Sequence, residues 1–128
     1  MKHEARIYRS LADETRLSML CLLLQHEELC VCDFMEVLDI TQSKASRHLR
    51  YLYSAGWVHD RREGLKMKYR LSVPPGTLKE KQMQVLSPII TSHPEAQALG
   101  ERLGRWLANK HPDKSVKKDG KPRMRAPG

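Results

Sequence analysis

The chain has 128 residues and a mass of 14.8 kDa, which leaves room for one domain and little else. At 40% hydrophobic and 30% charged it can bury a core, but two Trp, four Tyr and one Phe exclude a large aromatic-lined pocket and favour helices packed through Leu, Met and Val. The net charge of +8 is patterned: residues 1–40 carry 4 basic and 8 acidic side chains, residues 41–70 carry 8 and 2, and residues 110–128 carry 7 and 2. The longest apolar run, Met19 to Leu24, falls far short of the roughly 20 residues that span a bilayer. With no leader-like segment and an odd count of three cysteines, reduced thiols and a cytoplasmic protein without a membrane partner are expected.

From Ile7 to Gln25 the spacing predicts one helical stretch, with Leu17, Leu20 and Leu24 at i, i+3 and i+7. Ser10 or Asp13 can start a helix within it, and Asp13 stands one turn before Arg16. A short connection, His26 to Leu29, leads to a second helix over Val31 to Leu38 with Val31, Phe34, Val37 and Leu38 on one face. The polar turn Asp39-Ile40-Thr41-Gln42-Ser43 precedes a third helix, Lys44 to Ala55, stopped by Gly56. Leu49 and Leu52 face the core. The remaining positions read Lys44, Ser46, Arg47, His48, Arg50 and Tyr51, so a short helix, a turn and a basic helix make a helix-turn-helix.

Trp57 and Val58 open an extended run, Glu63-Gly64 makes a turn, and Leu65, Met67, Tyr69 and Leu71 alternate on the return. That hairpin is a wing, its tip flanked by Arg61, Arg62, Lys66 and Lys68. Pro74-Pro75-Gly76 closes the unit. Leu78 to Ile90 reads as helical until Pro88, and Glu95 to Leu107 as a last helix with Leu99, Leu103, Trp106 and Leu107 on one stripe. The expected fold is therefore mainly α with a small β-hairpin, a winged helix-turn-helix over residues 1–109 whose N- and C-terminal helices form a dimer interface. Ile7, Tyr8 and Leu11 belong to that surface. Residues 110–128 are too polar to offset their ordering entropy and are expected to be a disordered basic tail.

Composition does not explain Cys30-Val31-Cys32. On a regular helix these two side chains point about 200° apart, whereas in an extended segment they share a face. An ion that takes both sulfurs must distort the start of the second helix, which is the first helix of the helix-turn-helix. Thiol chemistry here is thereby tied to nucleic-acid recognition. A redox switch is the rival reading, against which stands the strain of so short a disulfide loop. An enzyme is not expected, because Cys30 beside Glu28 and Asp33 has no positive partner in the sequence to activate it.

Glu28-Leu29-Cys30-Val31-Cys32-Asp33, preceded by Leu11-Ala12-Asp13-Glu14-Thr15-Arg16-Leu17 and followed by Ser46-Arg47-His48-Leu49, resembles the ArsR branch of the ArsR/SmtB metalloregulators. Tyr69-Arg70-Leu71-Ser72 agrees with it. The resemblance runs in order from Ile7 to Ser72 and implies a homodimeric repressor. Such a protein needs no cofactor to bind double-stranded operator DNA and leaves it when As(III) or Sb(III) is held by the thiolates of Cys30 and Cys32. The family often places a third cysteine where this chain has Met35, a weaker thioether. Cys21 reads first as a small buried hydrophobe and second as the missing sulfur; an exogenous ligand on arsenic is the other way to complete the site. The zinc branch's paired Asp and His residues are absent, since the last helix offers only His93 and Glu95. Cadmium and lead sensors of the family add cysteines from an N-terminal arm, and Met1 to Ser10 has none. His26 reads as a solvent contact rather than a zinc ligand.

The expected DNA contacts are Ser43, Lys44, Ser46, Arg47, His48 and Arg50 on the recognition helix and Arg61, Arg62, Lys66 and Lys68 on the wing. Arg47 suits a bidentate contact to guanine, while Lys44, Arg50 and the wing residues suit phosphates or the minor groove.

Overall fold

The computed structural model describes residues 1–110, so the expected tail from 111 onward lies outside the described residues. Lys110 is no part of that tail: it closes the last helix.

The stretch expected as one helix is two, α1 (Lys2–Leu11) and α2 (Glu14–Gln25). Asp13 breaks it. Its backbone is extended (φ −157°, ψ 129°), and its carboxylate accepts from the Arg16 amide at 3.0 Å to cap α2. Arg16 then turns back on α1, donating from Nε to the Ser10 carbonyl at 2.8 Å and from Nη2 to the Arg9 carbonyl at 3.0 Å. Both carbonyls lie in the last turn of α1, where a helix end runs out of backbone donors; the Arg9 carbonyl also accepts from the Ala12 amide at 3.1 Å. Ile7 and Met19, Leu20, Leu22 and Leu23 enter the same core from the two helices, which is why the apolar pattern runs across the break. Ser10 starts nothing. It lies buried inside α1, where its hydroxyl accepts from Trp57 Nε1 at 2.7 Å.

The connection before the second helix contains a strand, β1 (Leu29–Cys30), directly followed by α3 (Val31–Leu38). Asp39 ends α3 in the left-handed region (φ 56°), and Thr41 caps α4 (Gln42–Ser54) by accepting from the Lys44 amide at 3.1 Å. The recognition helix thus begins two residues earlier than expected. Gly56 (φ +86°) ends it: the Gly56 amide donates to Tyr53 at 3.0 Å and the Trp57 amide to Leu52 at 2.9 Å, the double bond pattern of a Schellman cap.

Strands β2 (Val58–Glu63) and β3 (Lys66–Leu71) form the wing, and the antiparallel sheet has the order β1-β3-β2. Glu63 pairs with Lys66, so the turn residues are Gly64 and Leu65, one position later than expected, with Gly64 at φ +63°. Cys30 pairs with Lys68, which pairs on its other side with Arg61.

Helix α5 (Leu78–Thr91) continues through Pro88, which was expected to stop it; the Thr91 hydroxyl donating to the Ser87 carbonyl at 2.7 Å helps close the extra turn. Helix α6 (Pro94–Lys110) is longer than expected at both ends. It packs on α2 and α3 of its own chain and sends Leu103 into a core built on Phe34, Leu49, Leu52 and Trp57. Apolar side chains left uncovered include Tyr8 on α1 and Val85 and Ile89 on α5. None of the described helices is long and apolar enough to cross a membrane.

Candidate functional site

Two sulfurs meet at the junction of β1 and α3. Pairing with β3 keeps Cys30 extended (φ −90°, ψ 168°), while Cys32 already belongs to the first turn of α3. The unwound residue removes the angular separation of a regular helix, and the side chains converge. In this structure Cys30 and Cys32 form a disulfide with a Cα–Cα distance of 5.4 Å, which corrects the expectation of free thiols for this pair. Cys30 is 2% exposed and Cys32 is half-buried.

Asp33 holds this junction. One carboxylate oxygen, Oδ2, accepts from the Cys30 amide at 2.8 Å. The other, Oδ1, accepts from Trp106 Nε1 at 2.8 Å and from Lys110 Nζ at 2.6 Å. The Lys110 ammonium also lies 3.2 Å from Cys30 Sγ and 3.5 Å from Cys32 Sγ. The positive partner absent from the neighbouring sequence is therefore supplied by the far end of α6. Sequence reading missed Asp33, Trp106 and Lys110. The Cys30-x-x-Asp33 spacing, that of a helix-capping box, was the one local signal.

Cys30, Cys32 and Asp33 place their ligand atoms within 4.8 Å of one another. Two soft sulfurs on one side of a strand-to-helix junction fit a thiophilic ion; Asp33, with both oxygens engaged, fits a positioning part better than a ligand. The structure does not bring Cys21 to the pair. That thiol is buried in α2, accepts from Gln25 Nε2 at 3.2 Å and is pushed up in pKa by burial. Met35 is half-buried, one helical turn beyond Cys32.

An open cleft of about 820 Å³ joins this site to the expected DNA face; it is lined by Cys30, Cys32, Ser46, Arg50, Arg62 and Lys66, among others. Helix α4 exposes Ser43, Lys44, Arg47 and Arg50 and half-buries Ser46. It also exposes Gln42, which sequence reading left in the turn. His48 points away from this face. It is buried, with Nδ1 at 3.1 Å from Arg16 Nη1, and burial lowers its pKa. Its place against α2 corrects the expectation that it lies on the DNA-facing surface.

On the wing, Arg62 and Lys66 are exposed and Lys68 is half-buried. Arg61 is engaged along one edge of its guanidinium: Nε and Nη2 donate to the two Glu28 oxygens at 2.7 Å, and Nη2 also lies 2.7 Å from Glu63. Hydrogen bonds from Arg61 hold both carboxyls below their usual range. Arg61 thus ties the wing to the segment just before β1.

Comparison with known proteins agrees with this geometry. The family described as "Bacterial regulatory protein, arsR family" matches residues 13–60, from the Asp13 cap into β2. The arsenical resistance operon repressor of Escherichia coli (strain K12) is 48% identical over 67 residues, covering 52% of this chain and 57% of that protein. The arsenical resistance operon repressor of Bacillus subtilis (strain 168) is 37% identical over 71 residues, 56% of this chain and 67% of that protein. This chain spans little more than half the length of several curated relatives that it matches. Among solved structures, a homodimeric winged helix-turn-helix DNA-binding domain from Mycobacterium bovis superposes with a TM-score of 0.58 at 29% identity, over 73% of this chain and 82% of that one. A winged helix with its helix-turn-helix, its capping motif and its cysteine pair in this order has one assignment: the chain belongs to the ArsR family of bacterial regulatory proteins.

Proposed function

We propose that this protein is a homodimeric transcriptional repressor of the cytoplasm that binds operator DNA and releases it when trivalent arsenic or antimony is taken by Cys30 and Cys32. The observation that carries this reading is the convergence of the two sulfurs at the first turn of α3, the helix that leads directly into the recognition helix. Arsenous acid and the reduced pair react with balance: two S–H bonds and two As–O bonds break, two As–S bonds form, and two waters leave. The third position keeps a hydroxyl group, so neither Cys21 nor Met35 is needed. A disulfide at this position must first accept two electrons and two protons, which a cellular dithiol supplies.

Ser43, Lys44, Ser46, Arg47 and Arg50 would face the major groove and its phosphates, with Arg62, Lys66 and Lys68 on the backbone beside it. The named relatives are operon repressors rather than enzymes, which supports this class of function.

The test is fluorescence anisotropy of a labelled arsenic-operon promoter fragment with reduced protein, titrated with arsenite, then a cadmium salt, then peroxide. Release by arsenite without oxidant is the expected result. Release by peroxide alone would replace the metalloid reading with a redox switch, the alternative that the Cys30–Cys32 disulfide favours. Release by cadmium alone would make this a sensor of a different soft metal.

A further inference from the structure

A two-sulfur ligand needs Cys30 extended, because only that conformation brings Cys30 beside Cys32. The Cys30 amide is held by Asp33 Oδ2, and Asp33 Oδ1 is held by two donors from the last two turns of α6, Trp106 and Lys110. The Asp33 side chain is 5% exposed and that of Lys110 is 15% exposed, so α6 supplies a buried carboxylate with its charged partner. Lys110 Nζ touches both sulfurs as well. These contacts join residues 73 to 80 positions apart.

The structure assigns Lys110 and Trp106 as positioning residues for the cysteine pair: the end of α6 is a clasp that holds the dithiol ready for a bidentate ligand and is itself held more firmly once that ligand is bound. Reciprocity follows from linkage, since whatever the clasp contributes to ligand affinity the ligand returns to the seating of α6. This rests on the proposed thiol site and extends it from the first turn of α3 to the C-terminal helix.

The experiment uses the full reduced chain and an arylarsine oxide, which forms two As–S bonds and releases one water. Lys110→Met and Trp106→Phe should each weaken its binding by about tenfold, the lower end of what loss of a partner behind a metal ligand costs. Lys110→Arg, which keeps a charged donor, should restore part of that loss. Arg102→Met removes an exposed charge from the same helix and should bind as the unaltered chain does. Emission from Trp106, taken as the signal missing in Trp106→Phe, should shift on binding. Equal affinity in Lys110→Met and Arg102→Met, an arginine no better than methionine, or a silent Trp106 would each overturn the clasp while leaving the thiol site standing. If the unaltered chain takes up no arylarsine oxide, or Cys30→Ser and Cys32→Ser take it up equally well, the thiol site itself fails and the clasp with it.

Discussion

Arg16 joins three helices through one side chain. It closes α1, meets His48 of α4 at 3.1 Å and lies 4.0 Å over the Tyr51 ring. A guanidinium only donates, so His48 Nδ1 must accept and the imidazole must be neutral with its proton on Nε2. Burial is the largest cause of the lowered His48 pKa; Asp13 opposes it, and Arg16, Arg47 and Lys44 reinforce it. The unfolded chain therefore binds this proton more readily than the fold does, and stability falls as pH drops below the ordinary value of 6.5. The urea midpoint should fall between about pH 7.5 and about pH 5.5, and His48→Gln should shrink that fall. An equal fall in both proteins would show that His48 carries none of it.

The cysteine pair is also a residue-scale matter. In the proposed site, Cys30→Ser or Cys32→Ser would remove one of two As–S bonds while leaving the proposed DNA face untouched. Each variant should bind operator DNA as before and stay bound when arsenite is added. Anisotropy checks this, and normal release by both variants would refute the site. These cysteines were legible from their spacing and from the resemblance carried by Glu28 to Asp33. Lys110 beside the sulfurs and Trp106 on Asp33 were not, because no local rule links positions 73 to 80 residues apart.

Among the elements, those with strong end signals came out where the pattern placed them. The span of α3 agrees residue for residue, Val31 to Leu38, and Gly56 stops α4 as a C-terminal glycine should. At φ +86° any other L residue is strained, so Gly56→Ala should destabilise the fold by roughly 1–2 kcal/mol. The added methyl would meet Lys79 Nζ at 2.9 Å, the far end of a side chain free to swing, so the backbone dominates the cost. Denaturant unfolding measures it, and an unchanged midpoint would contradict the cap geometry. Elements whose signals are weak or tertiary were misread. The α1–α2 corner depends on Arg16 reaching carbonyls six and seven residues back. Strand β1 has two residues, too few for any alternation, and exists because β3 offers it an edge.

Across the whole molecule, the thiol pair, the recognition helix and the wing share one cleft. A change at the first turn of α3 thus has a short path to the proposed DNA face. In the proposed complex two such faces, joined through the N- and C-terminal helices, would read half-sites about one helical turn apart. Arg47, exposed near the start of α4, should carry base discrimination. Arg47→Ala should cost about 1–3 kcal/mol of specific binding with little effect on a scrambled duplex. Equal losses on both duplexes would reassign Arg47 to the phosphates.

Sequence alone determined the winged helix-turn-helix, the cysteine pair and the basic stretch that follows it. Each rests on neighbours within a few positions: apolar period, turn glycines, two sulfurs two residues apart. Tertiary structure decided what those residues face. It turned His48 inward onto Arg16, spent Arg61 on Glu28 and Glu63, and set the Lys110 ammonium against the two sulfurs. Side-chain direction depends on which element packs opposite: α2 for His48, the segment before β1 for Arg61, and α6 for the two sulfurs.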